Sequence, residues 1–271
     1  MSAVLPAAPS TRSVPSDVPF YATLCVLSGV YIFLIVAMLV ADATYTTPGE
    51  LWLALDSEEI RYAIKLSLIS CTLTTILALW VAVPIGYLMS RHHFFGKSFV
   101  DTVLDIPIVL PPLVVGVSLL ILFKFAPKFI DDRVTFEIPS VILAQFMVAC
   151  AFAVRTMRVT FDQIPVRHEQ VALTLGCSRG QAFWLVVLPE AGRGMLSAAT
   201  LAWARSLGEF GPLLIFSGAT RMRTEVLPTT VYLEMQAGNL KAALAVSLLM
   251  VLMAVVVLVT ARVLGLRRPV V

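Results

Sequence analysis

The sequence predicts an all-α integral membrane protein with six transmembrane helices, on the basis of its composition and the length of its apolar stretches. Hydrophobic residues make up 59% of the 271 residues and charged residues only 14%, with a mean hydropathy of +0.90. Soluble chains are typically about half apolar and about a quarter charged, so a soluble core of this size cannot bury so much apolar surface. A lipid bilayer can surround such a chain.

Six stretches are long and apolar enough for a helix to cross a bilayer, which needs roughly 20 residues. They cover residues 20–40, 64–89, 103–123, 141–160, 195–216 and 242–263. The first is too long for the apolar part of a signal peptide and has no basic segment before it or small-residue cleavage site after it, so we interpret it as a true span. We predict one domain over 20–265, between a disordered tail, 1–19, and a short tail, 266–271.

Lys and Arg are distributed unequally between the two sides of the predicted spans. If the N-terminus is inside, the inner segments hold more Lys and Arg than the outer loops, which carry many Asp and Glu residues. The positive-inside rule then places both termini in the cytoplasm. The outer loops contain no pair of cysteines, so no disulfide framework is expected.

The predicted inner segment between the fourth and fifth spans is long, polar and internally ordered, at about 162–190. A helix is predicted over 166–175, with Gly176 just beyond its end, where glycine commonly adopts a left-handed conformation. Ser178 then opens a second helix, and Gln181 three residues later completes a capping-box pattern. The pattern predicts a helix–turn–helix at the cytoplasmic surface of the membrane.

The second helix of this segment is predicted to end at Leu188-Pro189, and that dipeptide also closes a family motif. The segment resembles the inner-loop motif of ABC importer permeases, which reads E-A-A, three residues, G, nine residues, I, one residue, L-P. The positions of this motif correspond here to Gln170-Val171-Ala172, Gly176, Val186 and Leu188-Pro189. The resemblance implies that the segment is a coupling helix that docks into a cleft of a separate ATPase subunit. The alternative is an amphipathic surface helix that packs on its own protein.

One departure from that motif concerns its acidic position. The motif has Glu where this chain has Gln170, and Glu169 stands immediately before it. Either residue can make the polar contact with the ATPase, and the sequence does not choose between them. The ATPase-coupling residues implied by the resemblance are Glu169, Gln170, Ala172, Gly176, Leu188 and Pro189.

The chain is not expected to carry an ATPase site or any other catalytic or metal site of its own. Residues 96–98 read G-K-S, but a phosphate-binding loop would need glycine at position 91, where the chain has Arg91. His92 and His93 are adjacent, so on a helix they point in different directions, and no further ligands lie near them. We therefore predict a transport subunit that binds no cofactor, while ATP is used by a partner.

The fifth predicted span contains two ionisable residues, Arg205 and Glu209. An isolated charge at the centre of a bilayer costs at least about 2.5 kcal/mol, so such residues face a partner or a watery cavity. Their spacing of four places them on one helix face. They form either a structural ion pair or part of the lining or gate of a translocation path. Gly208 and Gly211 permit a bend or a close approach of backbones.

Two further segments narrow the resemblance. Residues 204–211 read A-R-S-L-G-E-F-G, with L-P at 227–228, and residues 110–116 read L-P-P-L-V-V-G. These sequence motifs resemble those of permeases for the tetrahedral oxyanions molybdate, tungstate and sulfate. The double proline predicts a break in the third span, because proline removes helix hydrogen bonds. The path or gate residues carried by this resemblance are Arg205, Ser206, Gly208, Glu209, Gly211, Pro111 and Pro112.

The resemblance implies a subunit of the bacterial plasma (inner) membrane, with molybdate as first-choice substrate, then tungstate or sulfate. It also implies a pair of ATPase subunits, an extracytoplasmic substrate-binding protein and a second permease copy, which we expect to be identical; nucleic acid is not a partner. Donors for the anion are expected from Arg205, Thr200, Ser206, Ser217 and the freed backbone N–H groups near Pro111-Pro112. The docking surface for the binding protein is expected at Glu50, Asp56, Glu58, Glu225 and Glu234; the alternative is that these residues are simply solvated.

Two other function classes are weighed against the importer subunit. A channel or a secondary transporter would need no ATPase, and the coupling-loop frame argues against it. An intramembrane enzyme would need converging metal ligands or a nucleophile with a base. Asp131 and Asp132 in an outer loop do not form such a cluster.

Overall fold

The computed structural model describes residues 17–266, and this part of the chain is helical, without a strand. Of the predicted tails, 1–19 and 266–271, residues 1–16 and 267–271 lie outside the described residues, whereas Val18 and Leu266 are helical. The α-helices are α1 (Val18–Tyr45), α2 (Pro48–Asp56), α3 (Glu58–Arg91), α4 (Lys97–Val109), α5 (Pro112–Lys124), α6 (Lys128–Val134), α7 (Ile138–Gln163), α8 (Val166–Thr174), α9 (Arg179–Ala182), α10 (Leu188–Glu190), α11 (Gly192–Leu207), α12 (Leu227–Gln236) and α13 (Leu240–Leu266). The structure also contains two π-helical turns. Phe183–Val187 lies between α9 and α10, and Leu213–Ser217 lies between α11 and α12.

The chain divides into two compact units at Tyr45. The first unit contains α1, a helix of 28 residues whose side chains are almost all exposed. Its length and apolar surface suit a helix surrounded by lipid, as predicted for the first span. The second unit, described over 46–266, contains all the other helices.

The centre of the second unit is the packing of α3 against α7. Alanines 78 and 82 of α3 and alanines 149 and 153 of α7 are fully buried in one cluster. Gly86 belongs to the same contact, since a Cβ atom there would lie 2.9 Å from the backbone nitrogen of Arg158. Small side chains let two helix backbones approach closely, which is how helices associate where lipid removes the hydrophobic driving force.

By length and composition, four helices of the described part can cross a membrane: α1, α3, α7 and α13. A fifth crossing results if α4 and α5 together form one span, bent by 110°. The break falls at Leu110 and Pro111, in agreement with the predicted effect of the double proline. The fifth predicted span, 195–216, is divided between α11, of 16 residues, and a π-helical turn. The count of six spans therefore stays a prediction.

Candidate coupling helix and translocation gate

The predicted coupling segment forms two helical segments joined by a short turn. Helix α8 ends at Thr174, and Gly176 beyond it has φ +92°, the left-handed region that favours glycine. The backbone N–H of Cys177 donates to the carbonyl oxygen of Ala172 at 3.1 Å, which satisfies one of the free carbonyls at the helix end. At the start of the next helix, the Ser178 hydroxyl accepts from the Gln181 N–H, and Gln181 Oε1 accepts from the Ser178 N–H at 2.8 Å.

The second helical segment was predicted to end at Leu188-Pro189, and this prediction was wrong. It continues to Glu190, and α11 begins at Gly192 after a single turn residue. The π-helical turn before Leu188 explains the continuation. The N–H of Leu188 donates to the carbonyl of Phe183, five residues back, so the wider turn replaces the regular ladder ahead of the proline.

Glu169 and Gln170 point in different directions. Glu169 faces α3, where its Oε1 accepts from the Tyr87 hydroxyl at 2.5 Å and its Oε2 lies 3.4 Å from Arg91 Nε. Gln170 is exposed. The structure thus presents Gln170 on the free surface of α8 and uses Glu169 to attach the helix to its own protein. Sequence reasoning missed Tyr87 and Arg91, because no local signal links them to a residue about eighty positions away.

Large apolar side chains are exposed on α8 and on the π-helical turn after α9. The most exposed is Leu175, at 80%, and Val171, Trp184 and Leu185 are also more than half exposed. We call these four residues the apolar patch. Where exposed apolar side chains form a contiguous patch, they mark a surface that binds another protein or a membrane.

The predicted ion pair of the fifth span is present. Arg205 Nη2 lies 3.5 Å from Glu209 Oε2, and the Glu209 side chain is only 1% exposed while that of Arg205 is 35% exposed. The Arg205 guanidinium also lies over the Phe152 ring, 5.5 Å from its centroid. Glu209 follows the end of α11 at Leu207, so the pair bridges the point where the helix stops.

The hydroxyl groups near this pair are less available to an anion than was predicted. The Ser206 hydroxyl donates to the carbonyl of Ala202 and the Thr200 hydroxyl to that of Leu196, both at 2.8 Å. A hydroxyl has one proton to donate, so neither group offers an anion a donor in this conformation. Ser217 Oγ is buried and has no hydrogen-bond partner among the described residues.

Glycine and proline residues join the two segments whose helices are broken, α4–α5 and α11 with the π-helical turn Leu213–Ser217. A Cβ atom on Gly211 would lie 2.8 Å from Pro112 Cβ, and one on Gly116 would lie 2.8 Å from Pro212 Cα. Each glycine therefore admits a proline of the other segment. Pro111 precedes α5 at the bend and is exposed, whereas a Cβ atom at Gly208 would have only the Ala204 carbonyl oxygen nearby, at 3.8 Å.

Two acidic residues predicted to form an exposed docking surface are instead buried. Glu225 is 0% exposed, and both of its carboxylate oxygens lack a hydrogen-bond partner in the described part of the chain. The side chain of Glu234 is 10% exposed, and its Oε1 lies 2.8 Å from Arg221 Nη2. The docking prediction was wrong for these two residues, because both side chains are buried and Glu234 is paired with Arg221 of its own chain. Asp56 and Glu58 are exposed, as that prediction requires.

Within residues 17–266, no three His, Cys, Asp or Glu side chains cluster in a way that could hold a metal ion. The predicted site residues instead form two groups. Glu169, Gln170, Ala172 and Gly176 lie on or beside α8, and Arg205, Ser206 and Glu209 lie at the end of α11.

Comparison with known proteins places this arrangement in a family. Residues 82–268, more than half of the chain, match the family described as binding-protein-dependent transport system inner membrane component. The chain is 31% identical over 250 residues to the molybdenum transport system permease protein ModB of Mycobacterium tuberculosis, covering 90% of this chain and 93% of that protein. It is 28% identical over 206 residues to the sulfate transport system permease protein CysT of Escherichia coli, covering 73% of this chain and 74% of that protein.

The fold also resembles that of a solved transporter. A chain of the bacterial alginate ABC transporter in complex with an alginate pentasaccharide-bound periplasmic protein superposes with a TM-score of 0.71. The two chains are 17% identical, and the match covers 90% of this chain and 93% of the other. The family match and the ModB relative together lead to one conclusion: this chain belongs to the family of binding-protein-dependent transport system inner membrane components, the permease subunits of ABC importers.

Proposed function

We propose that this permease subunit forms the path of a tetrahedral oxyanion through a bacterial inner membrane, with molybdate as first choice, then tungstate or sulfate. The observation that carries the proposal is the Arg205–Glu209 pair, a half-exposed cation held by a buried carboxylate at the break of a span. The relatives named for molybdenum and sulfate support the same class of substrate.

The geometry suits an anion that binds briefly and then moves on. Arg205 offers a planar fork of N–H donors, the arrangement that matches the oxygens of a carboxylate, phosphate or similar anion. Glu209 beside it reduces the net charge of the site, so the anion is attracted without being trapped. The carboxylate also holds the guanidinium in place, since the two groups lie 3.5 Å apart.

Energy for transport is proposed to come from a pair of separate ATPase subunits that contact α8. Gln170 and the apolar patch are exposed on the two helical segments of the coupling loop, where a cleft of the ATPase can receive them. Because Glu169 is turned toward α3, we assign the polar contact of the motif to Gln170. This chain binds no ATP in the proposal.

The proposal includes a second copy of the permease, an identical one, and an extracytoplasmic protein that selects the anion. Both termini lie in the cytoplasm, so α8 is cytoplasmic and α2 lies on the outer side. Asp56 and Glu58, at the junction of α2 and α3, are exposed there and available to the binding protein.

The test is reconstitution of the permease in proteoliposomes with its ATPase subunits and binding protein. We expect ATP-dependent uptake of radiolabelled molybdate that competes with tungstate and, more weakly, with sulfate. Omitting the ATPase subunits, or replacing ATP by a non-hydrolysable analogue, should abolish uptake. Undiminished uptake without ATPase would instead indicate a channel or secondary transporter and overturn the proposal.

A further inference from the structure

The cytoplasmic end of α3 binds the segment that leads into the coupling helix. Arg91, the last residue of α3, donates from Nη1 to the carbonyl of Phe161 at 3.0 Å and from Nη2 to the carbonyl of Ile164 at 2.9 Å. Phe161 lies in the last turn of α7, and Ile164 follows it, before α8. A single guanidinium therefore fixes both the end of one helix and the start of the link to the next.

The same end of α3 also binds α8 itself. The Tyr87 hydroxyl donates to Glu169 Oε1 at 2.5 Å, and Arg91 Nε lies 3.4 Å from Glu169 Oε2. The side chains of Arg91 and Glu169 are only 7% and 13% exposed. A charge pair so shielded from water resists separation, because either charge left alone would be buried without compensation.

Aromatic packing determines where the Tyr87 hydroxyl points. The Tyr87 ring makes edge-on contacts with Phe161 and Phe183, with centroids 5.7 and 4.7 Å apart. Phe161 is fully buried, and Phe183 begins the π-helical turn after α9. Tyr87 thus touches both helical segments of the coupling loop and the end of α7.

The other end of α3 binds the outer segment before α12. The Tyr62 hydroxyl donates to the carbonyl of Arg223 at 2.9 Å, and Ser67 Oγ accepts from the N–H of Leu227 at 2.9 Å. Glu59 also forms an ion pair with Arg221. Between the two ends α3 is one helix of 34 residues, about 51 Å long.

We propose that Tyr87 and Arg91 are positioning residues that hold the coupling helix through Glu169, so that a displacement of α8 is carried by α3 to the outer segment at Arg223 and Leu227. The inference rests on the proposed function, in which α8 is moved by an ATPase. It adds a specific connection between α8 and the outer segment, made by side chains that lie outside the family motif.

The test compares Tyr87→Phe with wild type in proteoliposomes that contain the ATPase subunits and the binding protein. Tyr87→Phe keeps the ring contacts and removes only the hydroxyl, so we expect the variant to co-purify with the ATPase. The number of molybdate ions transported per ATP hydrolysed should fall about tenfold, the factor expected of one hydrogen bond to a charged group. Tyr31→Phe, which removes the same group from an exposed position of α1, should keep the wild-type ratio.

Two further comparisons separate positioning from simple stability. Glu169→Gln should lower the ratio as well, and the double variant Tyr87→Phe, Glu169→Gln should be no worse than the more impaired single variant, since both break the same connection. Arg91→Lys retains the charge without the fork and should give an intermediate ratio. An unchanged ratio in Tyr87→Phe, or independent effects that multiply in the double variant, would overturn the inference.

A distance measurement separates failure of the inference from failure of the proposed function. Spin labels at the exposed position Met222 in both copies of the permease, in a variant without native cysteines, report on the movement of the outer segments relative to each other. In the wild-type complex the distance between the labels should shift when ATP binds, and in Tyr87→Phe the shift should be lost. An equal shift in the wild type and in Tyr87→Phe refutes the role of Tyr87 but leaves the proposed function standing. No shift in the wild type refutes both proposals.

Discussion

Pro112 occupies the space that a side chain at Gly211 would need: a Cβ atom there would lie 2.8 Å from Pro112 Cβ and 3.0 Å from the backbone nitrogen of Leu113. The relationship is nearly reciprocal, because Gly116 stands in the same way against Pro212. The two broken segments, α4–α5 and α11 with its π-helical turn, are thus held together where each has lost regular helix hydrogen bonding.

We expect Gly211→Ala and Gly116→Ala to destabilise the protein by about 1–3 kcal/mol each, because the added methyl group meets backbone atoms that cannot move easily. Thermal unfolding of the purified protein in detergent measures the effect. Gly208→Ala is the matched control, since a Cβ atom at Gly208 would have only the Ala204 carbonyl nearby, at 3.8 Å. Equal midpoints for all three variants would show that the contacts relax without cost.

Gly176→Val tests the turn of the coupling segment. No atom lies within 4 Å of the position of a Cβ at Gly176, so the cost comes from its φ of +92°, roughly 1–2 kcal/mol for a non-glycine residue. The strain should redirect α8, so that the chain still inserts in the membrane but no longer retains the ATPase subunits through purification. Gly180→Ala, with open space and no positive φ, is the control. Retention of the ATPase by the Gly176→Val variant would count against docking through α8.

Arg205→Ala should affect both stability and uptake. It leaves the buried Glu209 carboxylate without its cation, at a cost of about 2–3 kcal/mol when the partial exposure of Arg205 is considered. A second change, Glu209→Gln, should recover most of the lost stability but none of the uptake. Arg205→Lys should restore only part of the uptake, because it lacks the planar fork.

The exchange of the two charges decides between a transport role and a structural role. If Arg205 contacts the anion, the variant with Arg205→Glu and Glu209→Arg should fold but transport poorly. Full uptake by this variant would mean that the pair only supports the helix end. Uptake in proteoliposomes and thermal unfolding are measured on the same preparation.

Glu225 predicts a pH dependence of stability. It lies outside the predicted spans, and burial raises its pKa above the ordinary value of 4.5, although the nearby Arg221 guanidinium lowers it in part. The folded state therefore binds a proton that the unfolded state releases, so this residue lowers stability as pH rises above about 4.5. Glu225→Gln should remove that dependence and raise the unfolding midpoint at neutral pH.

Glu50 should make the stability of the protein depend on pH in the opposite direction, so it is compared with Glu225. Its hydrogen bond to Lys241, followed by one to the backbone of Thr47, lowers its pKa, so its contribution is present at neutral pH and is lost as pH falls. Glu58→Gln, at an exposed position, should change neither trend. If Glu225→Gln leaves the pH profile unaltered, Glu225 does not carry the dependence.

Features that depend on neighbours in sequence were predicted well. The left-handed glycine after α8 and the capping box of Ser178 and Gln181 each involve residues within a few positions of one another. The break at Pro111 and Pro112 follows from the missing N–H groups of those residues, and the Arg205–Glu209 pair from a spacing of four on a helix. Composition alone established the membrane class.

Features that depend on which surfaces meet were decided only by the tertiary structure. The sequence places Glu169 and Gln170 side by side, but the position of α3 turns the first inward to Tyr87 and leaves the second exposed. Glu225 reads as an ordinary polar loop residue until the helices around it close over its side chain. The physical reason is the same in each case: burial and partner choice arise from contacts between segments far apart in the chain, whereas caps, breaks and spans arise within one segment.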